Sequence, residues 1–284
     1  MKMLVTGGAG FVGTNLIKRL LKDNHEVISI DNYSTGKKEN HQEGCRYWNF
    51  DLSDKYCPVL ERDEYDVIFH IGALARIQPS LRNPYKFIFN NFVSTLNVLE
   101  TARKNNIKVV YAGSSTFHHG LYSSPYAWSK YSGEELCKLY SSVYDLSTAI
   151  CRFYNVYGPY QLEDGEYSTV LGIFEKQYRE GKPLTITADG EQRRDFTYID
   201  DIVDGLVKCS EHNFKAEFFE LGKGVNYSIN EIADMFGKDY PREYISARKG
   251  EYDVTLADYS KAKLKLGWEP NGDITQYIKS IIEV

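Results

Sequence analysis

Short apolar runs alternate with longer segments of helical spacing along the first half of the chain. The short runs are rich in β-branched residues, which is typical of strands, and in the longer segments apolar residues recur every three or four positions. The predicted strands are Met3–Thr6, Glu26–Ile30, Arg46–Phe50, Asp66–Ile71, Lys108–Ala112 and Thr148–Phe153, and the predicted helices are Phe11–Lys22, Pro84–Lys104 and Tyr126–Tyr144. This alternation predicts an α/β fold in which a doubly wound parallel sheet carries helices on both faces.

The pattern changes after Phe153. Pairs of residues that are typical of loops follow at Gly158–Pro159, Asp164–Gly165 and Asp189–Gly190, and the helical stretches become shorter. We therefore predict a Rossmann domain over residues 1–153. Residues 154–284 are expected to form mainly a smaller C-terminal lobe that binds substrate, with some segments returning to the main sheet.

Composition excludes several classes of protein. The chain has 284 residues, of which 42% are hydrophobic and 26% are charged, and its formal net charge is −5. These values are ordinary for a globular protein, and without a basic run we expect no nucleic-acid partner. We also expect no membrane span and no signal peptide, because no apolar window is long enough. Five cysteines without a CxxC pair favour reduced thiols and therefore the cytoplasm.

A glycine-rich turn connects the first predicted strand to the first predicted helix. Residues 8–13 read GAGFVG and match G-x-G-x-x-G, and Gly7, Gly10 and Gly13 are also spaced by three. Glycine permits a tight turn and a close approach of the backbone to a pyrophosphate, which binds at the free N–H groups of a helix N-terminus. The context therefore predicts a dinucleotide site.

An acidic residue indicates which dinucleotide is bound. Asp31 follows the second predicted strand, 18 residues after Gly13. A carboxylate at this place accepts the ribose hydroxyls of an adenosine and repels a 2′-phosphate, so the pattern favours NAD. Lys37 and Lys38 lie close by and keep NADP open as an alternative.

Candidate catalytic groups lie at the fifth strand and the helix after it. Tyr126 and Lys130 have Y-x-x-x-K spacing, which places them on one helix face. A nearby ammonium stabilises a phenolate and makes tyrosine, whose pKa is ordinarily about 10, a usable base. The preceding strand ends in a serine-rich turn, where Ser114 is our first candidate and Ser115 our second for a hydroxyl that relays the substrate proton.

These residues resemble the extended short-chain dehydrogenase/reductase family, in particular its NAD-dependent nucleotide-sugar epimerases and dehydratases. The resemblance runs from Met1 to about Pro270. It is carried by TGGAGFVG at residues 6–13, Asp31-Asn32 with Ser34-Thr35-Gly36, Asp51-Leu52, Tyr126 with Lys130, RFYNVYGP at residues 152–159, Arg194-Asp195-Phe196, and Leu264 through Trp268.

The resemblance implies roles for individual residues. Catalysis would fall to Ser114, Tyr126 and Lys130. Cofactor contacts would come from Gly7, Gly10, Phe11, Val12, Asp31, Asn32, Ser34, Gly36, Asp51, Leu52, Ile71, Gly72, Ala73, Asn91, Tyr126, Lys130 and Tyr154. Contacts to a nucleotide-diphosphate sugar would come from Ser114, Ser115, Asn155, Arg194, Arg248 and Glu251, with the two arginines clamping the diphosphate.

The resemblance also bears on the reaction. Dehydratases of the family usually carry an Asp-Glu pair, and decarboxylases a glutamate, where this chain has Ser115 and Thr116. Their absence favours a 4-epimerase that acts on a UDP-hexose, UDP-Glc or UDP-GlcNAc, through a 4-keto intermediate. A dehydratase, decarboxylase or reductase of the same family stays open, and so does a non-catalytic NAD-binding sensor. Thr255 falls where the family gates the sugar pocket, and its small side chain would leave room for an N-acetyl group.

The chain departs from the family pattern at three places. Residues 117–120 read FHHG where the family usually has a Tyr-Gly pair, Tyr160 replaces an arginine, and Gly72 replaces an alanine. The adjacent histidines His118 and His119 do not predict a metal site, because they point in different directions and have no acidic or cysteine partner nearby in the sequence. The two long helices resemble those through which family members form homodimers as a four-helix bundle, so we expect a dimer.

Overall fold

The computed structural model describes residues 1–54, 57–62 and 64–283. The strands are β1 (Lys2–Thr6), β2 (Glu26–Asp31), β3 (Cys45–Asn49), β4 (Val67–His70), β5 (Lys108–Ser114), β6 (Thr148–Phe153), β7 (Val156–Tyr157), β8 (Leu184–Thr187), β9 (Arg193–Asp195), β10 (Thr197–Tyr198), β11 (Lys215–Leu221), β12 (Asn226–Ser228) and β13 (Arg242–Ile245). The helices are α1 (Phe11–Lys22), α2 (Pro58–Arg62), α3 (Ile77–Arg82), α4 (Pro84–Asn105), α5 (Pro125–Tyr144), α6 (Val170–Arg179), α7 (Ile199–Ser210), α8 (Ile229–Met235), α9 (Ser260–Leu266) and α10 (Ile274–Ile282). Short 3-10 turns lie at Lys38–Asn40 and Ser115–His119.

The central sheet has seven parallel strands in the order β11-β6-β5-β4-β1-β2-β3. The strand order reverses between β1 and β4, and the carboxyl ends of the strands at such a point form the crevice in which ligands bind. The prediction of a doubly wound parallel sheet is confirmed. The predicted strands and long helices all exist, with bounds that differ by a few residues at most.

Helices cover both faces of the sheet because the strands alternate apolar side chains between two cores. Within β1, Met3 and Val5 belong to the cluster packed under α1 and α7, whereas Leu4 belongs to the cluster packed under α4 and α5. A strand that is buried on both faces in this way reads as a continuous apolar run, which is what residues 3–5 show.

The chain after Phe153 divides its residues between the sheet and a separate core. Strand β11 pairs with β6 at the sheet edge, and α7 packs on the same face as α1. A third apolar cluster, which includes Phe174 and Phe236, joins α6, β8, α8 and α10. The predicted division at residue 153 stays a prediction. Within the described residues, no helix is both long and apolar enough to cross a lipid bilayer.

Candidate active site

The glycine turn packs too closely for side chains at two positions. A Cβ on Gly7, whose φ is +70°, would lie 2.7 Å from the Cα of Gly72, and a Cβ on Gly13 would lie 2.2 Å from the carbonyl oxygen of Gly7. Gly10 is the N-cap residue of α1 and has no side chain to form a capping hydrogen bond, and the first turn of α1 carries no acidic residue. The free N–H groups at this helix end therefore suit an anionic pyrophosphate.

Asp31 is fixed at the end of β2 by two backbone amides. Its Oδ2 accepts a hydrogen bond from the Ala9 N–H at 2.9 Å and its Oδ1 from the Tyr33 N–H at 2.7 Å. Burial raises the pKa of Asp31, and the two hydrogen bonds oppose that rise. Asp31 faces the large cavity described below, whereas Lys37 and Lys38 do not line it.

A single cavity of about 830 Å³ extends from the glycine turn to the C-terminal lobe. It lies at the carboxyl ends of the central strands, where the strand order reverses. The predicted residues that line it are Gly7, Gly10, Phe11, Val12, Asp31, Asn32, Ser34, Asp51, Leu52, Ile71, Gly72, Ala73, Asn91, Ser114, Ser115, Tyr126, Lys130, Asn155, Arg194, Arg248 and Glu251. Thr255 lines it as well. The structure thus brings together nearly all of the residues predicted for the site.

Two residues predicted to contact the cofactor do not line the cavity. Gly36 packs against Asp31, since a Cβ on it would approach the Asp31 Oδ2 atom to 2.9 Å. Tyr154 points away, because its hydroxyl donates a hydrogen bond to Glu220 at 2.9 Å, whereas its neighbours Phe153 and Asn155 face the cavity. Extended backbone turns successive side chains to opposite sides, and this alternation accounts for the position of Tyr154.

Hydrogen bonds rigidify the walls on the glycine-turn side. Asp51 accepts bonds from the Asn32 side chain at 2.9 Å and from the Ser53 hydroxyl at 2.7 Å. Burial would raise the pKa of Asp51, but these bonds outweigh it and lower the pKa. Asn91 on α4 exchanges hydrogen bonds with the Leu74 backbone at 2.8 and 3.0 Å, which holds the loop after β4 in place.

Tyr126 and Ser114 meet in the middle of the cavity. The Tyr126 hydroxyl lies 3.5 Å from the Ser114 Oγ, which also accepts a bond from the Thr116 hydroxyl at 3.0 Å. Ser115 lines the cavity, but the bond from Tyr126 goes to Ser114. The geometry therefore favours Ser114, the last residue of β5, over Ser115.

Effects of opposite sign act on the pKa of Tyr126. Burial raises the pKa of Tyr126, while the Ser114 hydrogen bond and the charge of Arg76 lower it. The Nζ of Lys130 lies 4.3 Å from the ring centre of Tyr111, and its expected role as the cation for Tyr126 stays a prediction. Burial lowers the pKa of Lys130 to about 8, against the opposing effect of Glu134.

The far end of the cavity carries the residues predicted to bind the sugar nucleotide. Burial lowers the pKa of Arg194, and Glu251 and Asp253 oppose that effect. The Asn155 Nδ2 donates to the Asp195 carbonyl at 3.1 Å and to the Thr255 hydroxyl at 3.2 Å. Asn155 is thereby oriented by β9 and by the loop that follows β13.

Arg76 and Tyr252 are among the cavity residues that the sequence analysis did not name as site residues. Arg76 follows β4 by six residues, and Tyr252 follows Glu251, and both side chains line the cavity. The Tyr252 hydroxyl lies 2.9 Å from the Ser123 Oγ, which ties the loop around residue 252 to the start of α5. The signal for Arg76 was its place after a strand that ends at the ligand crevice.

The unusual residues 117–120 pack outside the cavity. His118 contacts Glu220 on β11, and His119 stacks on Tyr252 with ring centres 4.0 Å apart. Tyr160 also lies outside the cavity, with the Lys18 Nζ 5.2 Å from its ring centre. In the described part of the chain no three His, Cys, Asp or Glu residues are grouped as metal ligands would be.

Three features meet in one crevice: the edge of a doubly wound sheet, an uncapped glycine turn and a tyrosine–serine pair. Together they define a dinucleotide-dependent enzyme of the short-chain dehydrogenase type. The chain belongs to the NAD dependent epimerase/dehydratase family, whose model matches residues 3–222. This membership confirms the family resemblance and the expectation of NAD as the cofactor.

Individual relatives are similar over nearly their whole length. A UDP-glucuronate 4-epimerase from Thermodesulfobacterium geofontis is 33% identical over 98% of this chain and 94% of that protein. The crystal structure of a UDP-glucose 4-epimerase from Thermotoga maritima with UDP-glucose has a TM-score of 0.93 and 30% identity, covering 100% of this chain and 98% of the other. A UDP-glucose 4-epimerase from Thermus thermophilus in complex with NAD has a TM-score of 0.90 and 28% identity over the same shares.

Proposed function

We propose that the protein is an NAD-dependent 4-epimerase of a UDP-sugar, with UDP-glucose or UDP-GlcNAc as the first candidates. One observation carries the proposal. The Tyr126 hydroxyl and the Ser114 hydroxyl lie 3.5 Å apart in a cavity that joins the glycine turn to Arg194 and Arg248. Relatives that span nearly the whole chain are 4-epimerases of UDP-glucose and UDP-glucuronate.

The cofactor would lie along the first half of the cavity. The N-terminus of α1 would hold the pyrophosphate and Asp31 the adenosine ribose, while Asp51 and Leu52 would border the adenine. Asp31 lines the cavity, whereas Lys37 and Lys38 do not, and this supports NAD over NADP. A bound NAD would supply reversible hydride transfer at C4 of the sugar, which is the chemistry that a 4-epimerase needs.

The protein's own groups would handle the proton. The phenolate of Tyr126 would accept the proton of the sugar 4-hydroxyl as the hydride leaves C4, and the phenol would return that proton when the hydride comes back. Ser114 would hydrogen-bond the same sugar oxygen and hold it near the phenol oxygen. Arg194 and Arg248 would neutralise the diphosphate, because planar guanidinium groups match phosphate oxygens.

The distribution of carboxylates supports epimerisation over dehydration. A 4,6-dehydratase needs further acid and base groups beside the sugar. The carboxylates among the described cavity residues are Asp31, Asp51, Glu166 and Glu251. Asp31 and Asp51 lie toward the adenosine end, Glu166 pairs with Arg82, and Glu251 acts on Arg194. Ser115 and Thr116 occupy the place of the dehydratase pair, so the serine turn offers hydroxyls only.

Thr255 supports a pocket that tolerates a substituted sugar. It lines the cavity, is only 4% exposed, and uses its hydroxyl to accept bonds from Asn155 and from the Asp195 N–H. A side chain this small leaves room that a larger residue would fill. We therefore propose that UDP-GlcNAc is accepted besides UDP-glucose, and strong preference for the unsubstituted sugar would contradict this.

The direct test is an NMR screen of UDP-sugars with the purified protein. We expect interconversion of gluco and galacto epimers without net reduction of NAD. Tyr126→Phe should abolish turnover, whereas Tyr122→Phe, at a side chain that is 89% exposed, should not. The proposal fails if UDP-glucose, UDP-GlcNAc and UDP-glucuronate all remain unchanged, or if Tyr126→Phe leaves the rate intact.

We further propose a cytoplasmic homodimer built through α4 and α5. These helices pack side by side and present exposed apolar side chains, including Phe89, Leu139 and Val143. The five cysteines are free, which suits a reducing compartment. Light scattering that reports a monomer, or a Leu139→Glu variant that leaves a dimer intact, would contradict the four-helix arrangement.

A further inference from the structure

The 3-10 turn Ser115–His119 is fixed to the central sheet by two of the residues in which it departs from the family pattern. The guanidinium carbon of Arg152 lies 3.4 Å from the ring centre of Phe117, and His118 contacts Glu220 on β11. Both of these partners are buried side chains of the sheet. The end of the turn therefore has a fixed position.

His119, the last residue of this turn, stacks on Tyr252. The two ring centres are 4.0 Å apart, and the ring planes are 17° from parallel. The Tyr252 hydroxyl and the Ser123 Oγ are 2.9 Å apart, so the tyrosine is held both at its ring and at its hydroxyl. Tyr252 lines the cavity, whereas His119 and Ser123 do not. The two anchors therefore support a wall of the cavity from outside.

The loop between β13 and α9 carries Tyr252 together with residues predicted to bind the nucleotide. Arg248 and Glu251 line the cavity, but both are exposed, whereas Tyr252 is half-buried. Exposed side chains gain little from packing, so the position of such a loop depends on its anchors. One further anchor is the Gln78 side chain, which donates a hydrogen bond to the Lys249 carbonyl oxygen at 2.7 Å.

We propose that His119 is a positioning residue that, through its stack on Tyr252, holds the loop between β13 and α9 in the position that binds the nucleotide diphosphate. This role rests on the proposed function, because it requires the UDP part of the substrate to lie at this end of the cavity. A loop that is already anchored loses less conformational entropy on binding, and this preorganisation increases affinity.

Limited trypsin digestion of the NAD-loaded protein tests the anchor without any substrate. Trypsin cleaves after Arg248 and Lys249, and cleavage requires the loop to leave its folded position. Measured by mass spectrometry, cleavage at these two bonds should be about three- to tenfold faster in His119→Ala, whereas His119→Phe, which keeps a ring, should match the unsubstituted protein. Tyr122→Ala is the matched control, because it removes a nearby aromatic side chain that is 89% exposed. It should leave the cleavage rate unchanged.

Calorimetric titration with UDP measures the consequence for binding. The contribution of an aromatic pair corresponds to about three- to tenfold in an equilibrium constant. His119→Ala should weaken UDP binding within that range, and His119→Phe should restore it to within about twofold. When Tyr252→Leu has already removed the partner ring, adding His119→Ala should cause no further loss. In the epimerase assay, His119→Ala should raise KM about three- to tenfold and change kcat by less than about twofold.

The outcomes separate this role from the proposed reaction. An unchanged UDP affinity in His119→Ala overturns the inference even if trypsin cleavage accelerates, since His119 would then only stabilise the fold. Equal losses of affinity in His119→Ala and His119→Phe would overturn it as well, because the ring stack would not be the cause. If no UDP-sugar turns over but the UDP affinities follow the expected order, the role of His119 stands and the proposed 4-epimerase reaction fails.

Discussion

Replacing Glu134 by glutamine removes the charge that balances a buried guanidinium. The Arg152 Nε lies 3.1 and 3.2 Å from the two Glu134 carboxylate oxygens, and its NH2 group lies 2.7 Å from Oε2. Both side chains are 1% exposed. Breaking a buried ion pair by removing one partner destabilises a protein by about 3–5 kcal/mol. Because Glu220 remains 3.9 Å from Arg152, we expect the lower end, about 3 kcal/mol.

The measurement is urea unfolding of Glu134→Gln beside a matched control. Glu135→Gln changes the next residue in the same way, but its side chain is 45% exposed and pairs with Lys138 on the helix surface at 2.7 Å. That pair contributes roughly 0.2–0.5 kcal/mol. In thermal unfolding, a loss of about 3 kcal/mol should lower the midpoint by about 6–12 °C in a chain of this size.

A double replacement distinguishes an unpaired charge from lost packing. Arg152→Met combined with Glu134→Leu removes both charges from the site, so it should be less destabilising than Glu134→Gln alone. The reasoning is refuted if Glu134→Gln unfolds at the same urea concentration as Glu135→Gln. It is also refuted if the double variant is the least stable of the three.

Three further predictions concern the cofactor site and the buried histidine. Asp31→Asn should weaken NAD binding by about tenfold to a hundredfold in a titration, because a charge-assisted hydrogen bond to the ribose is lost, and NADP binding should weaken less. Gly13→Ala should destabilise the fold and abolish NAD binding, because its Cβ meets the Gly7 oxygen at 2.2 Å, whereas Lys18→Ala on the same helix should do neither. Burial lowers the pKa of His70 from an ordinary 6.5 to about 3 in the folded protein. As the pH drops from 6.5 toward 3, the unfolded chain therefore binds a proton at His70 that the folded protein does not, and the free energy of unfolding falls. His70→Asn should lose less stability over that window in urea unfolding, and equal losses would contradict the assignment.

Local signals account for the parts of the fold that could be predicted. Consecutive residues form the apolar runs of strand length and the glycine turn before a helix. A local pattern therefore predicts β1, α1 and β2. The short strands β7, β9, β10 and β12 have two or three residues each and no periodicity to reveal them. The return of β11 to the sheet edge depends on pairing with β6, more than sixty residues earlier in the chain.

The site shows the same limit at the level of single side chains. Motif residues such as Asp31 and Tyr126 line the cavity because a motif fixes both the residue type and its place on an element. Tyr154 lies within a motif as well, but it turns to Glu220, a partner on another strand that no local pattern indicates. Tyr252 reaches the cavity through a loop anchored at Ser123, and that anchor exists only in the folded chain.

Lys130 illustrates why spacing alone cannot assign the contacts of a charged side chain. The Y-x-x-x-K spacing places Lys130 on the same face of α5 as Tyr126. The lysine side chain is long and flexible, so the spacing does not determine which group its ammonium contacts. In the folded chain the Lys130 Nζ lies over the Tyr111 ring. Glu134, one helical turn further on, favours the charged form of Lys130. The spacing therefore predicts which helix face carries Lys130, whereas the fold determines which aromatic ring its Nζ contacts.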